Sequence, residues 1–290
     1  MVARRYFSQR QGRHRHLGLD DLKGLVYSLF DRFVERQFFD KTLGYHCGDQ
    51  GFVAGTLGGD PAAEIHYRLR RPNLWPLIDH VASYSEDDLF DIIEFLYDSV
   101  SQPIDGSYHS YDSATHFTTF DDRKGQDEFR NELNELLVDY ESGFELSANG
   151  EILSLAPLGI QPLFTQPWPT SLPPEVRAKI DEALLAFRRH GATDGERMQV
   201  VVTLFGVLEL LRPQLKGIWM SQDEADLFLL ANNFGIRHFN SRQKLNYDKD
   251  LWVPWMFYVL VATLHVVTRA LARKGRAAWG VALPDLPSGR

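Results

Sequence analysis

Between two strongly apolar segments the chain runs NNFGIRHFNSRQKLNYD, from Asn232 to Asp248, and gathers nearly every kind of polar side chain. One reaction suits these residue types. Cleaving RNA without a metal needs a base for the ribose 2′-hydroxyl, an acid for the departing 5′-oxygen, and donors for the charge that develops around phosphorus. Histidine serves as base or acid, because its ordinary pKa lies near 6.5. Arginine and asparagine supply the donors. His238 is the candidate base or acid, with Arg237 and Asn233 as candidate phosphate donors.

Helical phase places these side chains. At about 100° per residue, Leu227, Ala231, Phe234 and His238 share one stripe, and Leu230, Asn233 and Arg237 share its neighbour. Arg237 and His238 thus continue apolar stripes, where a polar group without a partner is costly to bury. They need partners or a cleft. The structural alternative stays open: the two side chains finish a helix by binding its free carbonyls, and the rest is loop.

The elements around this stretch read as helices. Segments near 174–190, 194–216, 222–238 and 250–274, joined by short connections, suggest an antiparallel four-helix bundle. Asp250 is the expected cap of the last helix, with Pro254 in its tolerant first turn. Upstream, APLGIQPLFTQPWPTSLPP over 156–174 holds six of the fourteen prolines, a density that excludes helix and central strand and marks a linker or a wrapped connection.

Before the linker the pattern is mainly helical with a little sheet. A helix from Asp21, capped by Asp20 or Asp21, carries the stripe Leu22, Leu25, Val26, Leu29, Phe33 and Val34. A second begins at the Ser85 cap, with Leu89, Ile92, Ile93 and Leu96 inward. A third runs from about Gln126 to Val138. FELSANGEILSL signals a hairpin near 144–155, with Asn149-Gly150 as a two-residue turn. The expected fold is therefore mainly α, with domains at 1–155 and 174–275, a linker at 156–173 and a tail at 276–290.

Composition narrows the function classes. At 290 residues and 44% hydrophobic, the chain can fill two cores. A net charge of −8 argues against a uniformly basic nucleic-acid coat. Cys47 is the only cysteine, which excludes an intrachain disulfide and a multi-cysteine metal site and points to a reducing, cytoplasmic compartment. The eighteen uncharged residues from Leu251 to Thr268 reach the length of a membrane span, but Pro254, His265 and the neighbouring apolar helices favour burial in the protein over a membrane.

Other motifs have plainer readings. GYHCGDQGFVAGTLGGD over 44–60 lacks a GK[ST] ending and reads as a surface loop, and His46-Cys47 are neighbours whose side chains would point apart. Glu86, Asp87, Asp88, Asp91, Glu94 and Asp98 read as dipole-complementing residues early and solvent-facing ones later. His265 reads as a hydrogen-bonded core histidine. Arg4, Arg5, Arg10, Arg13 and Arg15 offer phosphate forks or a solvated N-terminal segment equally.

The run ERMQVVVTLFGVLELLRPQLKG with SQDEADLFLLANNFGIRHFNSRQKLNYDKDLWVPWMFYVLVATLHVVTRAL resembles the HEPN superfamily, helical-bundle domains of bacterial toxin and phage-defence proteins. YFSQRQGR near the N-terminus resembles the start of AbiJ-type abortive-infection proteins. The resemblance implies a metal-independent endoribonuclease, commonly built across a dimer interface, with an Arg followed by four to six residues and a His. Here Asn233 or Asn232 stands at that spacing before His238, and Gln243 stands where Arg237 would need a histidine. Arg10 and His16 meet the same spacing elsewhere. The resemblance implies His238, Arg237 and Asn233 as catalytic residues and Asn232, Asn240, Arg242, Gln243, Lys244 and Tyr247 as RNA contacts, with RNA and a second copy as partners and no cofactor or metal. Its other implication is a non-catalytic HEPN-type binding or dimerisation module.

Overall fold

The structure is a computed structural model that describes residues 7, 11, 16–157, 159–215 and 248–274. The chain is mainly helical and divides into two compact units, Met1–Leu155 and Ala156–Arg290.

The first unit is built on three helices, α1 (Leu19–Glu35), α5 (Glu86–Ser99) and α6 (Asp122–Leu137), with short helices α2 (Asp40–Leu43), α3 (Pro61–Leu69) and α4 (Leu77–His80) between them. Each long helix buries one stripe. Leu22, Leu29 and Phe33 meet Leu89, Ile92, Ile93 and Leu96, and Phe129, Leu133 and Leu137 close the core. Phe33 and Phe129 pack edge to face at 5.4 Å and 88°, the arrangement aromatic quadrupoles favour.

Helix α5 starts where the sequence places it: Ser85 Oγ accepts from the Asp88 amide at 3.1 Å and the Asp88 carboxylate accepts from the Ser85 amide at 3.0 Å. Helix α1 differs from its expectation. Its N-cap is Gly18, to whose amide the Asp21 carboxylate reaches back, and Leu25 and Val34 at the edges of the stripe are exposed. Helix α6 begins at Asp122, earlier than expected, because the Asp121 side chain accepts from the Lys124 amide and caps it.

Among the described residues, the unit also holds three antiparallel two-stranded sheets: β1 (Tyr45–Cys47) with β2 (Gly51–Val53), β3 (Gln102–His109) with β4 (Ala114–Asp121), and β5 (Phe144–Leu146) with β6 (Ile152–Ser154). The third is the hairpin read from the sequence, with a longer turn. Ser147 donates its amide to the Glu151 carbonyl, and of the residues between them only Gly150 has positive φ, so the loop has three residues. The first falls in the glycine-rich run expected to be a loop. Gly44 makes it possible, since a Cβ there would lie 2.3 Å from the Val53 carbonyl oxygen.

In the second unit, α8 (Pro174–Arg188), α9 (Asp194–Leu211) and α10 (Lys249–Lys274) pack with α9 against both others. Val176, Ile180, Leu184 and Phe187 of α8 recur at helical spacing and join Leu204, Leu208, Phe257, Val261 and Leu264 in one core. Phe187 and Phe257 stack at 3.7 Å and 2°. Three of the four expected bundle helices lie in the described residues; the segment 222–238 lies outside them, as does the tail at 276–290.

Two expectations change here. The proline-rich segment contains a helical turn, α7 (Pro162–Thr165), because Pro162 occupies the first helical position, where its missing N–H removes nothing. Phe164, Trp168 and Leu172 then pack into the second core, so this segment wraps the unit. The cap of α10 is Asp248, whose carboxylate accepts from the Leu251 amide at 3.3 Å. The stretches 194–215 and 249–273 are long and apolar enough to cross a membrane by length and composition, and about half of each is buried inside the protein.

Candidate functional site

The residues expected to do chemistry, Asn232, Asn233, Arg237, His238, Asn240, Arg242, Gln243, Lys244 and Tyr247, all lie outside the described residues, as do Arg4, Arg5, Arg10, Arg13 and Arg15. The nearest described residues on either side of residues 232–247 are Leu215 and Asp248. Leu215 enters the second core at one end, and Asp248 caps α10 at the other.

A different cluster forms in the first unit. Strand β1 turns Cys47 inward and exposes His46, as alternation along a strand requires. The inward thiol faces the tip of the β3–β4 hairpin. There His109 ends β3, Asp112 sits in the turn and His116 lies on β4. One donor atom from each of Cys47, His109, Asp112 and His116 lies within 4.8 Å of all the others.

Asp112 is the centre of this group. Its Oδ2 is 3.0 Å from His109 Nδ1 and 2.8 Å from His116 Nε2, its Oδ1 accepts from the Gly48 amide at 2.7 Å, and the Cys47 side chain also hydrogen-bonds the carboxylate. Gly48 is required at that approach. A Cβ there would lie 2.6 Å from both Asp112 Oδ1 and the Tyr111 ring.

These contacts set the electrostatics. Donation from His109 is the largest influence on Asp112, and with Gly48, Cys47 and His116 it holds the carboxyl at about 2 against the opposing effect of burial. Reciprocally, the hydrogen bond to Asp112 raises His109 above its ordinary value, and Asp49 adds to this from the other side of the ring, where its Oδ2 lies 3.0 Å from Nε2. The His109 and His116 rings lie 4.9 Å apart, and Tyr45 covers His116 at 4.7 Å.

The sequence carried two signals for this cluster. HSYDSATH, 109–116, has a His-x2-Asp-x3-His spacing across a turn, and YHCGDQGF has a strand-turn-strand alternation that points Cys47 away from His46. Excluding a multi-cysteine site does not reach a mixed set of one thiol, two imidazoles and one carboxylate. Those are donor types that a borderline transition metal accepts.

The acidic residues of α5 are not a comparable cluster. Asp87, Asp88 and Asp91 surround Arg71 at 3.6, 3.0 and 3.2 Å, and the Tyr140 hydroxyl donates to Glu86 at 2.6 Å. Glu94 departs from the expected solvent-facing role, since it accepts the Ile152 amide at 2.7 Å. A groove between α8 and α9 in the second unit mixes Lys179 and Arg189 with Glu182 and Glu196, so its charges oppose one another. His265 is a core residue: it is 3% exposed and its Nε2 donates to the Leu163 carbonyl at 2.7 Å.

No family model, curated protein or solved structure matches the chain.

Proposed function

We propose that the second unit is a HEPN-type domain that cleaves RNA without a metal, in a cytoplasmic, homodimeric protein of the phage-defence or toxin kind. One observation supports this reading above the others. The described residues that bracket the stretch holding the donors, Leu215 and Asp248, lie in the packed second core and at the capped start of α10, a rigid scaffold of the kind a site needs. In this reading His238 removes the 2′-hydroxyl proton, the 2′-oxygen attacks phosphorus, and the bond to the 5′-oxygen breaks as that oxygen gains a proton. Arg237 and Asn233 hold the phosphate oxygens, while Asn232, Asn240, Arg242, Gln243, Lys244 and Tyr247 hold the strand. The products are a 2′,3′-cyclic phosphate and a 5′-hydroxyl.

The test is cleavage of a labelled single-stranded RNA by the purified full chain in the presence of chelator. Cyclic-phosphate ends that disappear with His238→Ala are the expected result. Undiminished cleavage by that variant removes the site assignment.

A second reading, a non-catalytic HEPN-type assembly module, draws on α10. Leu251, Trp255 and Val266 fall on one face of that helix and are 64%, 39% and 60% exposed. It expects no cleavage by the parent chain and a change of sedimentation coefficient on Leu251→Glu.

A further inference from the structure

We propose that Cys47, His109, Asp112 and His116 form a structural zinc-type metal site that ties the β1–β2 hairpin to the tip of the β3–β4 hairpin. The proposal rests on the first unit alone and is independent of the RNA-cleavage reading.

The donor set comes first. Zinc takes thiolate, imidazole and carboxylate ligands at about 2.0–2.3 Å, usually four in a tetrahedron. Neighbouring donors around such a centre therefore stand about 3.3–3.8 Å apart. The four donor atoms here lie within 4.8 Å of one another, and Asp112 Oδ2 stands 2.8 and 3.0 Å from the histidine nitrogens. Movements of less than about 1 Å bring them to ligand spacing around one ion. Four protein donors leave no open position, which is the pattern of a structural rather than a catalytic metal.

The surroundings orient the donors as ligands. His109 points Nδ1 at the cluster, and its Nε2 is held by the Asp49 carboxylate at 3.0 Å. A carboxylate behind a histidine fixes the ring's tautomer and direction in metal sites. Asp112 is fixed in the same manner: the Gly48 amide binds Oδ1, and Oδ2 faces inward. A purely hydrogen-bonded cluster accounts for the carboxylate contacts, the weak donation from Cys47 included, but it does not call for a thiol rather than a stronger hydroxyl donor. Cys47, 2% exposed and turned into the group, is the residue that distinguishes a metal site.

The fold also supplies a reason for the cross-link. Strands β3 and β4 pair as an isolated two-stranded sheet, and along them Ile104 and Tyr108 are exposed, as is Tyr111 in the turn. Such a ribbon is marginal in water without a packed face. β1 and β2 have three residues each. A metal joining position 47 to positions 109–116 stabilises both by closing a long loop, and metal-binding free energy becomes folding free energy.

The experiment uses the full chain, purified without chelator from zinc-supplemented cells. Elemental analysis should find about one zinc per chain. After removal of the metal, titration with Co(II) should give the intense visible bands of a tetrahedral centre and a near-ultraviolet thiolate charge-transfer band. Cys47→Ser should remove the charge-transfer band, and His116→Ala should abolish stoichiometric binding. Asp49→Asn is a milder test that removes no donor: the protein stays folded and loses roughly 10–100-fold in metal affinity. His46→Ala, on the outer face, should retain full metal content. Negligible metal in the purified protein together with no cobalt spectrum overturns the proposal, as does cobalt binding that survives unchanged in both Cys47→Ser and His116→Ala. Nuclease activity is not a readout, so failure of the RNA reading leaves this result intact.

Discussion

The indole of Trp168 lies flat on the imidazole of His265, ring centroids 3.9 Å apart and planes 10° from parallel. Two hydrogen bonds hold the pair: Trp168 Nε1 donates to Asp181 at 2.9 Å, and His265 Nε2 donates to the Leu163 carbonyl at 2.7 Å. This stack fastens the proline-rich segment to α8 and α10.

Acidification should loosen that fastening. Burial is the main influence on His265 and pushes its pKa below the ordinary 6.5; the Leu163 hydrogen bond opposes this and Arg269 adds to it. The unfolded state therefore binds the proton more tightly than the folded state, and stability rises with pH across the interval between the two pKa values. The neutral ring's contribution is present above about 6.5 and is lost as pH falls through the depressed folded value. Thermal melts followed between pH 7.5 and 5 should show the second unit losing stability, and His265→Gln should flatten that dependence. Trp168→Ala should cost about 3 kcal/mol or more at neutral pH.

Asn134 pins β5 to α6 with both ends of its amide. Its Nδ2 donates to the Leu146 carbonyl at 3.1 Å and its Oδ1 accepts the Leu146 amide at 2.6 Å. No other residue type matches this donor-acceptor pair at that length except by chance of geometry: aspartate loses the donor, and leucine loses both. Asn134→Leu should destabilise the first unit by about 2–3 kcal/mol, since a partly buried backbone amide and carbonyl lose their partners together. Asn134→Asp should fall between the parent and Asn134→Leu in chemical denaturation.

Glu94 is held in a place where its charge is unwelcome. Burial raises its pKa most, the Ile152 amide opposes this, and Glu151, Asp91 and Asp98 raise it further. A carboxyl raised in the folded state binds its proton more tightly there, so stability falls as pH rises from the ordinary 4.5 through the folded value, and the penalty is complete at neutral pH. Glu94→Gln keeps the acceptor for Ile152 and removes the charge. It should raise neutral-pH stability by about 0.5–1 kcal/mol, with the gain vanishing at pH 4.

Where local chemistry and tertiary packing agree, the sequence was legible. Ser85 and Asp88 cap α5 from their own spacing, and the stripes of α5 and α8 bury as their periods require. It was less legible where distant segments decide. The β3–β4 hairpin has little apolar alternation, so nothing in its own pattern marks strands. The Pro162 turn forms because Phe164 and Trp168 find aromatic partners about a hundred residues away in α10. The metal-type cluster was hidden for the same reason: Cys47 and the 109–116 triplet are each unremarkable until β1 meets the hairpin tip.

The RNA-cleavage reading turns on Asn233. It stands five residues before His238, with Phe-Gly-Ile-Arg between them, at the place where the HEPN pattern has arginine. An asparagine amide donates to a phosphate oxygen but carries no charge, whereas a guanidinium supplies a permanent charge and a two-pronged donor fork. Donors aimed at developing charge are worth about 100- to 1,000-fold in rate when removed. If Asn233 fills that place as a weaker donor, Asn233→Arg should raise the rate of cyclic-phosphate formation by at least about tenfold, with the gain abolished by a second change, His238→Ala. Single-turnover cleavage of an RNA with one ribonucleotide gives the rate directly. No cleavage by either the parent or Asn233→Arg would instead favour the assembly reading, because restoring the charge would then have found no active histidine to act with.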